Sequence, residues 1–257
     1  MQAIIRVWDN VEEYEELSQR GLAEVERWDS VRLAPLYARF FKEVRPRERL
    51  SDVVSTDIKV KATMRTRQEF GSFLNLKSLL GVGAEIGVQN GFFTRQILDQ
   101  WKGNLLYLID IWQQLSDYED VANVPSYEQA NRLICTVTQV SAHWQRIRII
   151  QETSEIAARL IPDDSLDLAY IDANHEYSAV INDLKTWLPK VKEGGIIAGH
   201  DYLDGVYHIN GVKTVFGVRQ AVQQFLEGHT IHVTEESFPT WFTTKTREMM
   251  TSKFATI

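Results

Sequence analysis

The sequence predicts an α/β fold, a Rossmann-like doubly wound sheet of about seven strands with an antiparallel hairpin at one edge. Short apolar runs alternate with helical periods after Phe70, as the βαβ units of a parallel sheet require. The C-terminal part changes to two closely spaced strand-like segments, which is typical of a reversed sheet edge. At 257 residues the chain is long enough for one main domain and a smaller appendage.

Helices outside the sheet are predicted for the N-terminal residues. Apolar side chains recur near helical spacing between Val11 and Val44, and a charged break around Pro46 begins a linker. We therefore divide the chain into residues 1–60, a helical cap or dimerisation segment with its linker, and residues 61–257, the main domain. The sequence leaves open whether these helices cap a pocket or form a homodimer interface.

Five parallel strands can be placed in order along the main domain. They are predicted at residues 82–87, 105–110, 147–150, 166–172 and 196–199. The helix between the fourth and fifth strands has one apolar face, made by Val180, Leu184, Trp187, Leu188 and Val191. Gly194 and Gly195 are predicted to end this helix in a turn.

The C-terminal segments are predicted to complete the sheet. A helix from Val218 to Leu226 precedes two strands, 230–233 and 241–244, which form the antiparallel hairpin. The segment from Tyr202 to Lys213 contains two glycines, and we interpret it as a mobile cover over a pocket or a plain surface loop.

Composition and charge exclude several classes of protein. A formal charge of -7 and a pI near 5.5 argue against a nucleic acid partner. No apolar run approaches the roughly 18 residues of a membrane span, and the N-terminus does not resemble a secretory signal. Cys135 is the single cysteine, which precludes an intrachain disulfide and suits a reducing compartment. We expect a cytoplasmic protein with no membrane partner.

The turn after the first predicted strand is the first candidate binding segment. Glu85 lies at the end of that strand, and Gly87 and Gly91 bracket a turn that contains Asn90 and leads into a helix at Phe92. Glycines let the backbone approach a ligand closely, although such a turn is equally consistent with a structural role. The third glycine of the G-x-G-x-x-G motif is missing, which disfavours a nicotinamide cofactor.

Polar residues also follow the second and third predicted strands. Asp110 comes about 20 residues after the glycine turn, where a carboxylate can bind both hydroxyls of a ribose; a helix cap is the alternative. Ile111 follows it, and Trp112 either packs beside an adenosine or fills the core. Thr153 and Ser154 either face an adenine ring or cap the next helix.

Two clusters of Asp and His close the fourth and fifth predicted strands. Asp172 and His175 follow the fourth strand, and His200 and Asp201 follow the fifth. Unpaired charge buried near a sheet edge costs several kcal/mol, so such clusters normally pair, bind a ligand or hold a metal. Because ligands bind beyond the carboxyl ends of parallel strands, we predict a functional site there.

Four stretches of the sequence together resemble a known enzyme family. They are residues 84–88 with Gly91, 109–112, 165–175 and 194–202. They are similar to the bacterial class I methyltransferases that are grouped with the macrolide-sugar and aminocoumarin-sugar O-methyltransferases. This resemblance implies that S-adenosylmethionine lies over the glycine turn. The residues assigned to this cofactor are Glu85, Gly87, Asn90, Gly91, Phe92, Asp110, Ile111, Trp112, Thr153, Ser154 and Asp172.

A divalent metal site is a further implication of the resemblance. The sugar-methylating relatives hold the ion with acids at positions that match Asp172 and Asp201, but they carry two adjacent acids where this chain has His200 before Asp201. The imidazole of His200 disfavours magnesium, so the set of Asp172, His200 and Asp201 could instead take manganese, iron or zinc, or bind no metal and use histidine as a base. We expect no obligatory metal.

The predicted reaction is transfer of the sulfonium methyl group to a hydroxyl oxygen of a small molecule, such as a sugar or another natural product. His175 and His200 are the candidate bases, and Asp201 completes the predicted catalytic set. A nicotinamide-dependent oxidoreductase and a non-catalytic binding protein on the same fold are the alternatives.

Overall fold

A computed structural model describes residues 64–116 and 118–254 of the chain. The predicted N-terminal helices lie outside the described residues, so their role as a cap or dimer interface stays a prediction. Among the residues that are described, no helix is long and apolar enough to cross a membrane.

The described residues form a seven-stranded sheet at the centre of the fold. In chain order its strands are β1 (Val82–Ile86), β2 (Leu105–Ile109), β3 (Ile147–Ile150), β4 (Leu166–Ile171), β5 (Val191–Gly199), β8 (His232–Val233) and β9 (Trp241–Thr244). Their spatial order is β3-β2-β1-β4-β5-β9-β8. The first five are parallel, and β9 runs antiparallel to both β5 and β8. The predicted fold class and reversed edge are confirmed.

Helices cover both faces of this sheet. They are α1 (Phe70–Leu76), α2 (Phe92–Gln100), α3 (Ser126–Val140), α4 (Ser154–Ala158), α5 (Tyr177–Trp187), α6 (Val218–Phe225) and α7 (Arg247–Phe254). Successive residues of β4 point to opposite faces, so Leu168 and Tyr170 join one apolar cluster while Ala169 and Ile171 join the other. Because both faces are covered, β4 is buried along its whole length, as expected of a central parallel strand.

The glycine pair before the fifth strand differs from its prediction. Gly194 and Gly195 lie inside β5 and do not end a helix; α5 ends earlier, at Trp187. The register between β4 and β5 shifts at this point, and Gly194 has a φ of 82°. The pair therefore forms an irregularity within the strand, where a positive φ favours glycine.

The segment after β5 also differs from the predicted loop. It forms an antiparallel hairpin of β6 (Asp204–Ile209) and β7 (Val212–Gly217), which pair as a separate two-stranded sheet. Asn210 and Gly211 make the turn between them, with φ values of 52° and 81°. Two consecutive residues with positive φ are typical of the tight turn that matches the twist of a hairpin.

Candidate active site

A cleft of ≈ 900 Å³ opens at the carboxyl ends of the parallel strands. Most of the residues that the sequence predicts for a site line it. These are Glu85, Gly87, Asn90, Phe92, Asp110, Ile111, Thr153, Ser154, Asp172, His175, His200 and Asp201. The fold thus brings the glycine turn and both Asp/His clusters to one place.

Two predicted binding residues, Gly91 and Trp112, do not line this cleft. Gly91 has a φ of 73°, and a Cβ there would lie 2.9 Å from the Cα of Thr136, so Gly91 permits close packing of α2 on α3. Trp112 is only 3% exposed and donates its indole N–H to the carbonyl of Gln89 at 2.9 Å. Of the two alternatives for Trp112, the structure shows the core position.

Gly87 allows a close approach of the β1 and β4 ends. Its φ is 88°, and a Cβ at this position would lie 1.9 Å from the carbonyl oxygen of Asp172. No side chain fits in that space, so the floor of the cleft at this point is bare backbone.

Asp110 ties together the two turns that border it. Its Oδ2 accepts the backbone N–H groups of Val88 and Gln89, both at 2.9 Å, and its Oδ1 accepts the N–H of Trp112 at 2.9 Å. Each carboxylate oxygen has two acceptor positions, so Oδ1 retains one for a ligand. The carboxylate is therefore a local cap that still offers an acceptor in the cleft.

At the end of β3, Thr153 and Ser154 line the cleft and also stabilise local structure. The Thr153 hydroxyl accepts the backbone N–H of Ile156 at 3.4 Å and so caps α4. The Ser154 hydroxyl donates to Asp183 on α5 and accepts the indole N–H of Trp187 at 2.8 Å. The sequence offered helix capping and a position facing a ligand as alternatives for Thr153 and Ser154. In the structure Thr153 caps α4, and both residues also line the cleft.

Glu85 is a carboxyl group buried at the base of the cleft. It is 1% exposed and accepts the hydroxyl of Thr94 at 2.7 Å. Burial raises the pKa of Glu85 from its ordinary value of 4.5 to about 8, because the charged form loses its hydration. The carboxyl group is therefore largely protonated near neutral pH.

Replacing Glu85 with glutamine should stabilise the fold at alkaline pH. Between pH 4.5 and 8 the folded chain keeps a proton that the unfolded chain has released, so this group makes stability fall as pH rises. Glutamine removes that cost, on the order of a few kcal/mol above pH 8. Denaturant unfolding from pH 4 to 9 measures it, with Glu193→Gln on the exposed surface as the control. Equal pH slopes in wild type and Glu85→Gln would contradict the assignment.

His175 lies among three carboxylates. Its Nδ1 is 3.5 Å from Asp120, and its Nε2 is 3.5 Å from Asp172 and 3.1 Å from Asp201. Both ring nitrogens are buried, and neither makes a hydrogen bond to a described residue. Burial acts to lower the pKa of His175, but the carboxylates outweigh it and hold the pKa well above its ordinary value.

His200 has a different environment, set by Arg67. Arg67 donates from Nη1 to His200 Nε2 at 2.8 Å, and its guanidinium lies 3.9 Å above the Phe93 ring. Since arginine can only donate, Nε2 accepts and the His200 proton is on Nδ1, which lies 2.8 Å from Asp201. With Nε2 engaged, His200 is poorly placed to bind a metal.

The metal set therefore differs from the predicted one. Asp172, His175 and Asp201 each offer a ligand atom, and these atoms lie within 4.8 Å of one another. His175 takes the place that the sequence assigned to His200. One imidazole and two carboxylates form a mixed nitrogen and oxygen donor set, which suits manganese or another transition ion better than magnesium.

Several residues that line the cleft were not predicted from the sequence, and two of them, Arg67 and Asp120, lie against the site histidines. Asp120 is 5% exposed and accepts the backbone N–H of Ala122 at 2.7 Å, forming an Asx turn. Arg132 and Gln129 of α3 both donate to the carbonyl of Ala122, which holds this loop against α3. In the sequence Asp120 is only a common turn residue, and nothing there indicates its contact with His175.

The glycine turn, Asp110 and both Asp/His clusters lie between the end of β1 and a point just beyond β5. Residues 84–202 match a methyltransferase domain. The match spans the glycine turn, Asp110 and both Asp/His clusters. It supports a methyltransferase and disfavours the nicotinamide-dependent oxidoreductase.

Several solved structures are similar to this chain at low sequence identity. A candidate rRNA methylase from Clostridium thermocellum is 14% identical, with 74% of this chain and 98% of that chain covered and a TM-score of 0.50. An rRNA methylase from Streptococcus thermophilus is 14% identical, covering 72% and 98%, with a TM-score of 0.49. A candidate O-methyltransferase from Klebsiella pneumoniae is 17% identical, covering 70% and 79%, with a TM-score of 0.47. No curated protein matches the chain.

Proposed function

We propose that this protein transfers a methyl group from S-adenosylmethionine to a hydroxyl oxygen of a small molecule. The observation that carries the proposal is the order of groups along the sheet edge. Ser154 follows β3, Asp110 follows β2, Glu85 lies at the end of β1, and the Asp/His clusters follow β4 and β5. A donor lying along this edge would place its adenine at β3, its ribose at β2 and its amino acid end at β1. The methyl group, on the sulfur between ribose and amino acid, would face the clusters at β4 and β5.

The amino acid end of the donor suits the groups at β1. Its ammonium group would pair with the ionised form of Glu85, beside Gly87, which also lines the cleft. Asn90 and Phe92 line the same part of the cleft. Ribose hydroxyls would bind the acceptor position that remains on Asp110.

The acceptor side of the cleft is partly aromatic. Phe216 of β7 lies 5.1 Å from the His175 ring, centroid to centroid, and Ile209 and Phe238 also line this part. A cleft of ≈ 900 Å³ is at the upper end of the range for pockets that hold a small ligand, so donor and small acceptor can both fit. A sugar or natural-product hydroxyl, as in the macrolide-sugar type, fits this combination of apolar walls and polar floor.

The chemistry requires a base, since an alcohol is a poor nucleophile until it loses its proton. His175 is the first choice by position, since it lines the cleft. The three carboxylates raise its pKa, so it can act as a base only in its neutral form, which becomes more populated as the pH rises. His200 would have to leave Arg67 before its Nε2 could accept a proton. Asp201 lies between the two histidines, 3.1 Å from His175 Nε2 and 2.8 Å from His200 Nδ1.

A divalent ion fits the site as an alternative to a histidine base. Asp172, His175 and Asp201 would hold it, and the unpartnered nitrogens of His175 supply the observation that favours this fit. When bound, such an ion would lower the pKa of the acceptor hydroxyl. The protein's own groups would still have to orient the acceptor and exclude water.

Thermal unfolding of chelator-treated protein tests the donor. S-adenosylmethionine, S-adenosylhomocysteine and NAD are each added with and without manganese or magnesium. A ligand at 100 times its dissociation constant adds about 2.7 kcal/mol of stability. We expect stabilisation by the two sulfur ligands and none by NAD. Stabilisation by NAD alone would overturn the proposal.

Replacing His200 with alanine should slow transfer about 100-fold, the lower end of the range for loss of one acid–base group, and leave donor binding intact. The reason is that His200 lines the reaction end of the cleft, away from the groups assigned to ribose and adenine. Formation of S-adenosylhomocysteine with the best acceptor from a panel of sugars and phenols measures transfer. Unchanged turnover would remove His200 from the mechanism.

A further inference from the structure

Asp183 is a buried carboxyl group in the cleft wall that the proposed reaction does not use. It is 4% exposed, lies on α5 and lines the cleft beside Ser154. Its Oδ1 accepts the Ser154 hydroxyl, and no other hydrogen bond reaches it from the described residues. A buried carboxyl group with one neutral donor is only partly satisfied, which leaves an acceptor unused.

The direction of the Ser154 hydrogen bonds is fixed by Trp187. The indole N–H can only donate, so the Ser154 oxygen accepts it and the single hydroxyl proton goes to Asp183. Ser154 therefore has no proton left for a ligand. Asp183 Oδ2 has no donor among the described residues and so is available to a ligand N–H; Glu152 and Glu155 also line this wall, but neither side chain is hydrogen-bonded to Ser154.

We infer that Asp183 determines specificity by accepting a hydrogen bond from the exocyclic amine of the adenine in the methyl donor. The inference rests on the proposed function, in which the base lies beyond Asp110 at the end of β3. Ser154 is at that end of the cleft, and its hydrogen bond to Asp183 brings the carboxyl group to the same wall. A purine that carries a carbonyl in place of the amine would place its acceptor oxygen against the acceptor oxygen of Asp183, so no hydrogen bond would form.

Calorimetric titration with S-adenosylhomocysteine and S-inosylhomocysteine tests this role. Wild-type protein should bind the adenosyl ligand about 10- to 100-fold more tightly, the range for a hydrogen bond to a charged group. In Asp183→Asn the Ser154 hydroxyl still donates its proton, so the amide oxygen faces Ser154. The NH₂ group then faces the cleft and can donate to the inosyl carbonyl. The preference should therefore reverse. Asp163→Asn, a change of an exposed aspartate paired with Lys190, should keep the wild-type ratio.

Each outcome of this titration is decisive. An unchanged preference in Asp183→Asn would mean that Asp183 only ties α4 to α5. Equal affinity of the wild-type protein for the adenosyl and inosyl ligands would overturn the inference. This outcome does not depend on whether Asp183→Asn folds. Failure of wild-type protein to bind either ligand would instead overturn the proposed function, so the two failures are distinguishable.

Discussion

Replacing Asp110 with alanine is expected to weaken binding of S-adenosylhomocysteine by at least ~1,000-fold, about 4 kcal/mol. The change removes the proposed ribose acceptor. It also leaves the backbone N–H groups of Val88, Gln89 and Trp112 without their shared partner. Hydrogen bonds to a charged group contribute about 1.5–3 kcal/mol each, so the glycine turn should lose its bound geometry as well.

Asp110→Asn separates these two effects. The amide keeps one oxygen that can accept backbone N–H groups, so the turn should be less disturbed while the ribose contact is lost. Calorimetry measures affinity, and thermal unfolding without ligand reports damage to the turn. We expect Asp110→Asn to melt between wild type and Asp110→Ala. Donor affinity within tenfold of wild type in Asp110→Ala would show that Asp110 is only a structural cap.

The central strands could be predicted because a strand that is buried on both faces is mainly apolar along its length. The segment Leu166–Ile171 is buried throughout, so it appears as a short, mainly apolar run. The ends of such runs also locate Asp110, Asp172 and Asp201, because parallel strands end at one edge. This part of the site follows from topology alone.

The β6–β7 hairpin was missed although its turn has a clear sequence signature. Asn210-Gly211 is among the strongest short-range signals for a tight hairpin turn. The preceding strand is exposed along most of its length, so it shows no alternation of buried and exposed side chains. Its glycines were interpreted as mobility, when Gly211 supplies the positive φ that the turn requires.

The contacts of Arg67 and Asp120 could not be predicted, because both residues lie outside the sheet and reach the cleft only through tertiary folding. Arg67 begins a 3₁₀ turn before α1 and reaches across to His200, 133 positions away in sequence. Asp120 belongs to an irregular loop that α3 and β7 hold in place. Neither position carries a periodic signal, and pairing of this kind depends on how distant segments pack.

Replacing His175 with glutamine is expected to lower turnover by about 10²- to 10⁴-fold, the range for loss of a general acid or base. Affinity for S-adenosylhomocysteine should stay within about threefold of wild type, because the groups assigned to ribose and adenine lie elsewhere along the sheet edge. His143→Gln is a matched control: His143 also contacts an aspartate, Asp99 at 2.7 Å, but does not line the cleft. A kcat near that of wild type in His175→Gln would remove His175 from the reaction.

The same variant distinguishes a base from a metal ligand. If His175 holds an ion together with Asp172 and Asp201, His175→Gln should weaken manganese binding about 10- to 100-fold, measured by calorimetry without donor or acceptor. Asp120→Asn should weaken it too, since Asp120 faces the other ring nitrogen and would orient the imidazole. If His175 is a base alone, wild type and both variants should bind manganese equally poorly, while turnover still falls. A carboxylate-rich site that binds manganese equally well in all three proteins would assign the ion to Asp172 and Asp201 and leave His175 as the proton acceptor.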